Sequence, residues 1–332
     1  MNSGAWAHLK ERPFNKVANP DSKPKGIFVS CFNSAPLAAS ENVIIGEEKE
    51  AFQTGIDILN TLTEGSVHLG LPAEEVSNDI FTSVNNAELH YFKGKHPAGN
   101  VGVQIHHIDP INKDDVVFTL TPQDVLVIGR LFTKGVYDTT KIIALCGTAF
   151  KENKYVKTFA GSQIKNFTEN GIEAEKEIRL ISGNILSGEK ISEDSYLGFY
   201  DNTITAIPEG NEYEFLGWLL PTYERPTASR SFVWLKRLFS PGVEEGFEVN
   251  ANMHGEERAY VVSEQYDKVM PMDIMPTQLI KSIMANDIDK MEQLGIYEVV
   301  EEDLALCEFV CTSKIPVQQI LRDGLNYLEK EA

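Results

Sequence analysis

The chain has 332 residues, 42% hydrophobic and 24% charged, which excludes a mostly disordered polymer and is long enough for two or three separate cores. Its net charge of −19, from 30 Lys and Arg against 49 Asp and Glu spread along the whole length, repels nucleic acid and anionic lipid headgroups. No stretch approaches the roughly 18 consecutive apolar residues of a membrane span, and Met1 to His8 has neither the basic nor the apolar region of a secretion signal, so a cytoplasmic chain is expected.

Taken in order, Ser3 to Phe14 reads as a helix or loop–helix that begins abruptly, the start expected of a piece of a longer protein. Gly26 to Phe32 is a short apolar run suited to a buried strand, closed by the turn residues Asn33 to Pro36. Phe52, Ile56, Leu59 and Leu62 then recur at helical spacing between Glu47 and Thr63, with Gly65 placed to end the helix. Ser66 to Gly70 and Glu88 to Phe92 read as further strands. Thr121 as N-cap, Pro122 at the first helical position and Asp124 in the first turn predict another helix, which buries Val125, Ile128 and Leu131 or Phe132 and stops at Gly135. Strands alternating with helices imply a partly parallel sheet, so residues 1–134 are predicted to form a Rossmann-like α/β domain.

From Val136 to Pro221 strand signals dominate, at Ile142 to Cys146, Tyr155 to Phe159, Ile178 to Ile181, Leu197 to Tyr200, Thr203 to Ile207 and Tyr213 to Trp218. Ser162 to Asn170 supplies one short helix, and a small mixed β domain over 135–220 follows. Residues 221–332 begin with a proline-containing connector and end in helices predicted over Thr277 to Gly295 and Ile315 to Glu331. The overall expectation is an α/β (α+β) protein of three parts.

Familiar chemical signatures are missing: no glycine-rich dinucleotide turn, no phosphate-binding loop, no HExxH and no GxSxG. The four cysteines, Cys31, Cys146, Cys307 and Cys311, include one close pair at C-x3-C spacing, short of what a zinc or iron–sulfur site requires, and are expected as buried thiols. The unusual segment is Lys95 to Pro110, which holds His96, His106 and His107 among glycines. Read as a ligand- or partner-facing loop, it offers His96, Pro97, Gly99, Asn100, His106 and His107 as candidate contacts. Adjacent histidines on a strand point to opposite faces, so only one of the latter pair would join His96. A basic, aromatic island carries Arg230, Trp234, Lys236 and Arg237 and is a candidate docking patch in an acidic chain. Met270 to Met275 is rich in flexible thioethers, suited to core filling or to an adaptable contact.

Several segments, in one order, resemble the A subunit of the bacterial Na⁺-translocating NADH:quinone oxidoreductases. They are His96-Pro-Ala-Gly99 with Ile105-His-His107 and Asp109-Pro110, Val136-Tyr-Asp138, Arg179-Leu-Ile-Ser-Gly183 with Leu186-Ser-Gly188, and Phe215-Leu-Gly-Trp218. Val269 to Ile274 and Glu302 to Cys311 continue the match toward the C-terminus. The family is distantly similar to the flavoprotein subunit of respiratory complex I and to the C subunit of the Rnf complex. The resemblance implies an amino-terminal domain preceding this chain, and a β-grasp domain of the soluble-ligand-binding type at 135–220. It also implies a peripheral subunit on the cytoplasmic face of the bacterial inner membrane, docked on an integral-membrane subunit near the quinone-reducing end. The parent complex is a translocase that couples NADH oxidation and quinone (ubiquinone) reduction to Na⁺ export. NADH, flavins and iron centres are expected in partner subunits, with quinone as the one ligand open to this chain. Where the relatives place a glycine run for flavin, this chain has Asn2-Ser-Gly-Ala-Trp6, and where they cluster cysteines it has only Cys307 and Cys311. No catalytic, cofactor-binding or metal-binding residue is therefore expected in it. A flavin-dependent NADH dehydrogenase fragment and a free-standing β-grasp ligand-binding module stand as the other readings.

Overall fold

The computed structural model describes residues 2–75, 78–169, 171–172, 177–211, 249–261 and 264–331. The first domain strings together β1 (Lys10–Arg12), β2 (Lys16–Val17), β3 (Ile27–Ser30), α1 (Glu41–Ile44), α2 (Lys49–Asn60), β4 (Val67–Pro72), α3 (Asp79–Thr82), β5 (Glu88–Phe92), α4 (Val101–Ile108), β6 (Val117–Leu120) and α5 (Pro122–Lys134). Its sheet has the order β2-β1-β6-β3-β4-β5, with β3, β4, β5 and β6 parallel and β1 antiparallel to β6. The chain steps from β3 outward to β4 and β5, then returns to lay β6 on the other side of β3. Strand order therefore reverses between β3 and β6, and in such sheets the crevice beyond the strand C-termini is where ligands bind.

One face of the sheet is covered by α2 and α5, whose Phe52, Ile56, Leu59, Val125 and Ile128 join Val67, Leu69 and Leu71 in a common core. The two helices cross at glycines. A Cβ at Gly129 would stand 1.7 Å from the Ala51 carbonyl oxygen, and one at Gly55 would stand 2.4 Å from that of Val125. α5 opens with a capping box in which Thr121 and Asp124 satisfy each other's backbone N–H, and it closes at Gly135 in the left-handed region (φ 69°). Of Leu131 or Phe132, expected to complete its buried face, Leu131 is half-buried and Phe132 is 60% exposed. α2 ends at Asn60, before the predicted Gly65.

The second sheet, with order β10-β9-β11-β7-β8, holds β7 (Thr140–Cys146), β8 (Lys154–Phe159), β9 (Ile178–Ser182), β10 (Glu189–Ile191) and β11 (Thr203–Pro208), together with α6 (Lys165–Thr168). β11 and β7 pair in parallel at its centre, and Ile143, Leu145, Ile164, Leu180 and Ile204 fill the core. Leu197 to Tyr200, predicted as a strand, is a turn. The Phe199 carbonyl there accepts from Lys141 Nζ within the domain, and the Tyr200 hydroxyl donates to the Ala7 carbonyl of the first. The predicted strand at 213–218 and most of the connector lie outside the described residues.

The C-terminal part contains α7 (Pro276–Met284), α8 (Ile288–Gln293), α9 (Ala305–Val310) and α10 (Val317–Glu331). Two short helices stand where the sequence predicts one over 277–295. Leu279, Ile283, Leu321, Leu325, Cys307 and Cys311 pack with Met270 and Met272 in a third core, so the thioether segment is filling, with only Met275 largely exposed. All four cysteines are buried free thiols, and burial pushes Cys307 up to about 12.

Two further expectations are corrected at the boundaries. Ala5–His8 forms only a 3-10 turn before β1, because Lys10 to Arg12 is drawn into the sheet between β2 and β6. The histidine segment is not extended but helical (α4). Val101, Ile105 and Ile108 face Phe28 and Val117 on the sheet and Ile111 of the following loop, while Val103 enters the C-terminal core. A helix buried on two sides puts apolar residues at 101, 103 and 105, which imitates the alternation of a strand.

Candidate functional site

The loop after β3 is held against the loop before α4 by Ser34. Its Oγ accepts from the Gly99 N–H at 2.8 Å and is hydrogen-bonded to His96 Nδ1 at 3.0 Å. Gly99 allows that approach, since a Cβ there would lie 2.6 Å from Ser34 N. Ser30 Oγ donates to the Gly99 carbonyl at 2.8 Å and accepts from Gln104 Nε2. Beside these loops, at the β3/β6 reversal, opens a cavity of about 230 Å³ walled by all three parts of the chain. The sheet domain contributes Ser30, Phe32, His96, Asn100 and Thr121, the second domain Gly183, Asn184 and Tyr200, and the C-terminal part Glu302.

Its polar wall is an interlocked set of charges. His8, also at the cavity, binds Asp124 Oδ1 through Nδ1 at 2.6 Å and the Tyr137 hydroxyl through Nε2 at 3.0 Å. Burial works to raise the Asp124 carboxyl, but His8, Lys141 and Thr121 outweigh it and hold the group below the usual carboxylate range. Glu41, 5% exposed, goes the other way: burial and the Asp124 charge push it up to about 8, against the opposing pull of Asn202 and Lys141. Its Oε1 accepts from Asn202 Nδ2 at 3.0 Å, while Oε2 has no partner among the described residues. Burial lowers Lys141, with Asp124, Asp201 and Glu41 opposing that shift. Two neighbouring carboxyls forced apart in this way provide a proton donor and a fixed negative charge near neutral pH.

Arg12, 1% exposed, runs from β1 to the C-terminal part, where it donates to Glu302 Oε1 at 2.8 Å and Asp303 Oδ2 at 3.0 Å. Of the sequence candidates, His96, Gly99 and Asn100 line the cavity, and Pro97 is buried beneath them. His106 and His107 are not brought to it. His106 binds Glu298 through Nδ1 at 2.6 Å and accepts the Asp273 N–H, while His107 meets the Pro271 carbonyl at 3.0 Å, so both fasten α4 to the C-terminal part. The docking candidates Arg230, Trp234, Lys236 and Arg237 lie outside the described residues. Sequence reasoning missed His8, Arg12, Glu41, Asp124 and Tyr200 as one wall. The signals for it were a charge in each of two strands, Arg12 and Lys141, and the polar cap of α5.

In the segment 2–6, Gly4 is exposed and Trp6 is half-buried. Trp6 Nε1 donates to the Ala18 carbonyl at 2.7 Å with its ring edge-on to Phe118, and Tyr137 lies 3.7 Å from where a Gly4 Cβ would be.

Comparison with known proteins gives two domain families, one described as NqrA second alpha/beta domain over residues 1–137 and one described as NQRA C-terminal domain over 142–193. The A subunit of the Na(+)-translocating NADH-quinone reductase of Vibrio anguillarum is 39% identical over 332 residues, all of this chain and 72% of that protein. Its counterpart in Hahella chejuensis has the same identity and coverage, and that of Yersinia pestis bv. Antiqua is 37% identical over 337 residues. Among solved structures, a chain of an NAD⁺-reducing nickel–iron hydrogenase matches at TM-score 0.45 and 8% identity, over 93% of this chain and 55% of that one, too slight a likeness to carry an argument.

Proposed function

The chain belongs to the family of A subunits of the Na⁺-translocating NADH-quinone reductases, a part of that multi-subunit enzyme, and from this premise we propose that it works peripherally on the cytoplasmic face of the bacterial inner membrane. It docks on an integral-membrane partner and presents the β3/β6 cavity to quinone, while flavins and iron centres are carried by the other subunits. No described helix is long and apolar enough to cross a membrane, in keeping with docking from outside.

The observation that carries the quinone reading is the cavity itself: its place at the strand-order reversal, its volume and its protonated acid. A cavity of about 150 Å³ takes one benzene ring. One of about 230 Å³ accommodates a single substituted ring. Reduction of a quinone consumes protons as well as electrons, and Glu41 holds a proton at the cavity wall near neutral pH. Trp6, where the relatives carry a glycine run, supports the absence of a flavin in this chain.

Affinity purification of the tagged full-length protein from detergent-solubilised native membranes is expected to recover integral-membrane redox subunits in fixed ratio. Recovery of the chain alone, or with stoichiometric flavin, would refute the subunit or the cofactor-free reading respectively. In the assembled complex, His96→Ala is expected to raise the KM for quinone about tenfold, equivalent to one lost hydrogen bond of about 1.4 kcal/mol, and Gly99→Ala to raise it by pushing the loop off Ser34. NADH oxidation by an artificial acceptor should stay unchanged. Unaltered quinone kinetics and inhibitor sensitivity would remove the loop from any role with quinone.

A further inference from the structure

Away from this cavity, at the outer edge of the first sheet, β4 and β5 bring three ligand-type side chains onto one face. The parallel register sets His68 opposite Glu88 and Gly70 opposite His90, and residues 88 and 90 share a face because strand side chains alternate. His68 Nδ1 lies 3.0 Å from His90 Nε2, and Glu88 Oε2 lies 3.7 Å and 3.9 Å from those two nitrogens. We propose that His68, Glu88 and His90 form a binding site for a divalent first-row transition cation, with zinc as the ion it is built to take.

Geometry supports this assignment. Zinc binds imidazole nitrogen at about 2.0–2.1 Å and carboxylate oxygen at about 2.0–2.2 Å, which spaces tetrahedral donors roughly 3.4 Å apart. The observed triangle of 3.0, 3.7 and 3.9 Å brackets that spacing, so shifts of about half an ångström seat the ion. Two imidazoles and one carboxylate select zinc and its neighbours over Na⁺, Mg²⁺ or Ca²⁺, which prefer oxygen donors. The surroundings hold the donors in place. The Phe28 ring stacks on His68 with centroids 4.6 Å apart, and Ser66 Oγ donates to Glu88 Oε1 at 2.6 Å, leaving Oε2 toward the histidines. Orienting partners of this kind typically matter about 10–100-fold in metal affinity. Of the two rings now sharing an N–H···N bond, the donor moves its proton to its other nitrogen when the ion enters. Glu88 is exposed, so water completes the coordination. The ion would clip β5, the unpaired edge of the sheet, to β4.

The test uses the full chain stripped with chelator and titrated with Zn²⁺, then with Co²⁺ as a spectroscopic probe. One equivalent should bind, with tetrahedral Co²⁺ bands and a rise in thermal midpoint on adding Zn²⁺. His90→Ala and Glu88→Gln should lose the bands and the thermal shift, and Ser66→Ala should weaken binding about tenfold. Glu88 is exposed, so its substitution keeps the test valid if the histidine variant folds poorly. Equal zinc binding by the native chain and both ligand variants would mark adventitious binding at other histidines and overturn the proposal, as would no stoichiometric binding at all.

Discussion

Arg12→Met is expected to cost the folded chain about 3–5 kcal/mol, the range for removing one partner of a buried ion pair. Asp303 is 1% exposed and meets Arg12 Nη1 at 3.0 Å. Without the guanidinium its charge remains buried, supported among the described residues by the Val300 N–H that its Oδ2 also accepts. The damage falls between parts of the chain, because β1 of the first sheet is tied here to the stretch beside α9. Arg322 makes the companion tie, pairing with Glu301 and donating to the Phe14 carbonyl at 2.9 Å. Arg12→Met combined with Asp303→Asn should recover more than half of the loss, since asparagine keeps an acceptor for Val300 and removes the orphan charge. Urea unfolding of the three proteins measures this through the shift in midpoint at constant slope. A loss below about 1 kcal/mol in the single variant would mean that Arg12 is not what fastens the two parts.

The elements legible in the sequence are those decided locally. α5 reads correctly from Thr121 to Gly135 because its cap, its proline and its stop are all within the segment. Alternation and bounding turns alone place β5 at Glu88–Phe92. α4 misleads because tertiary burial on two sides erases its helical period. His96, Gly99 and Asn100 stand out by composition, and they do line the cavity. The opposite wall is illegible for the reason that makes it a wall: His8 meets Asp124 across 116 positions and Arg12 meets Asp303 across 291. No spacing rule reaches that far. The zinc-type cluster escapes for the same reason, since its three ligands come from two strands and become neighbours only through sheet register.

Glu41→Gln is expected to change how stability depends on pH. Below the unfolded carboxyl pKa of about 4.3, Glu41 carries its proton in both states and costs nothing. Between there and about pH 8 the unfolded chain releases that proton while the folded chain keeps it, so stability falls as pH rises. At about 1.36 kcal/mol per pH unit, the loss accumulated by pH 8 is roughly 4–5 kcal/mol. Above the folded pKa the group ionises in both states and the loss levels off. Glutamine does not titrate, and its carbonyl can accept the Asn202 amide as Glu41 Oε1 does now. The variant should therefore match the native chain near pH 4.5 and exceed it by about 4 kcal/mol near pH 8. The difference between two denaturation series reads this residue together with its coupling to Asp124 and Lys141. A difference that is the same at both ends of the range would show that Glu41 is ionised in the folded chain. The same substitution takes the exchangeable proton from the cavity wall, so a chain that gains stability should assemble normally yet reduce quinone more slowly. A buried acid that lowers stability at working pH is the kind of cost that persists where function uses it.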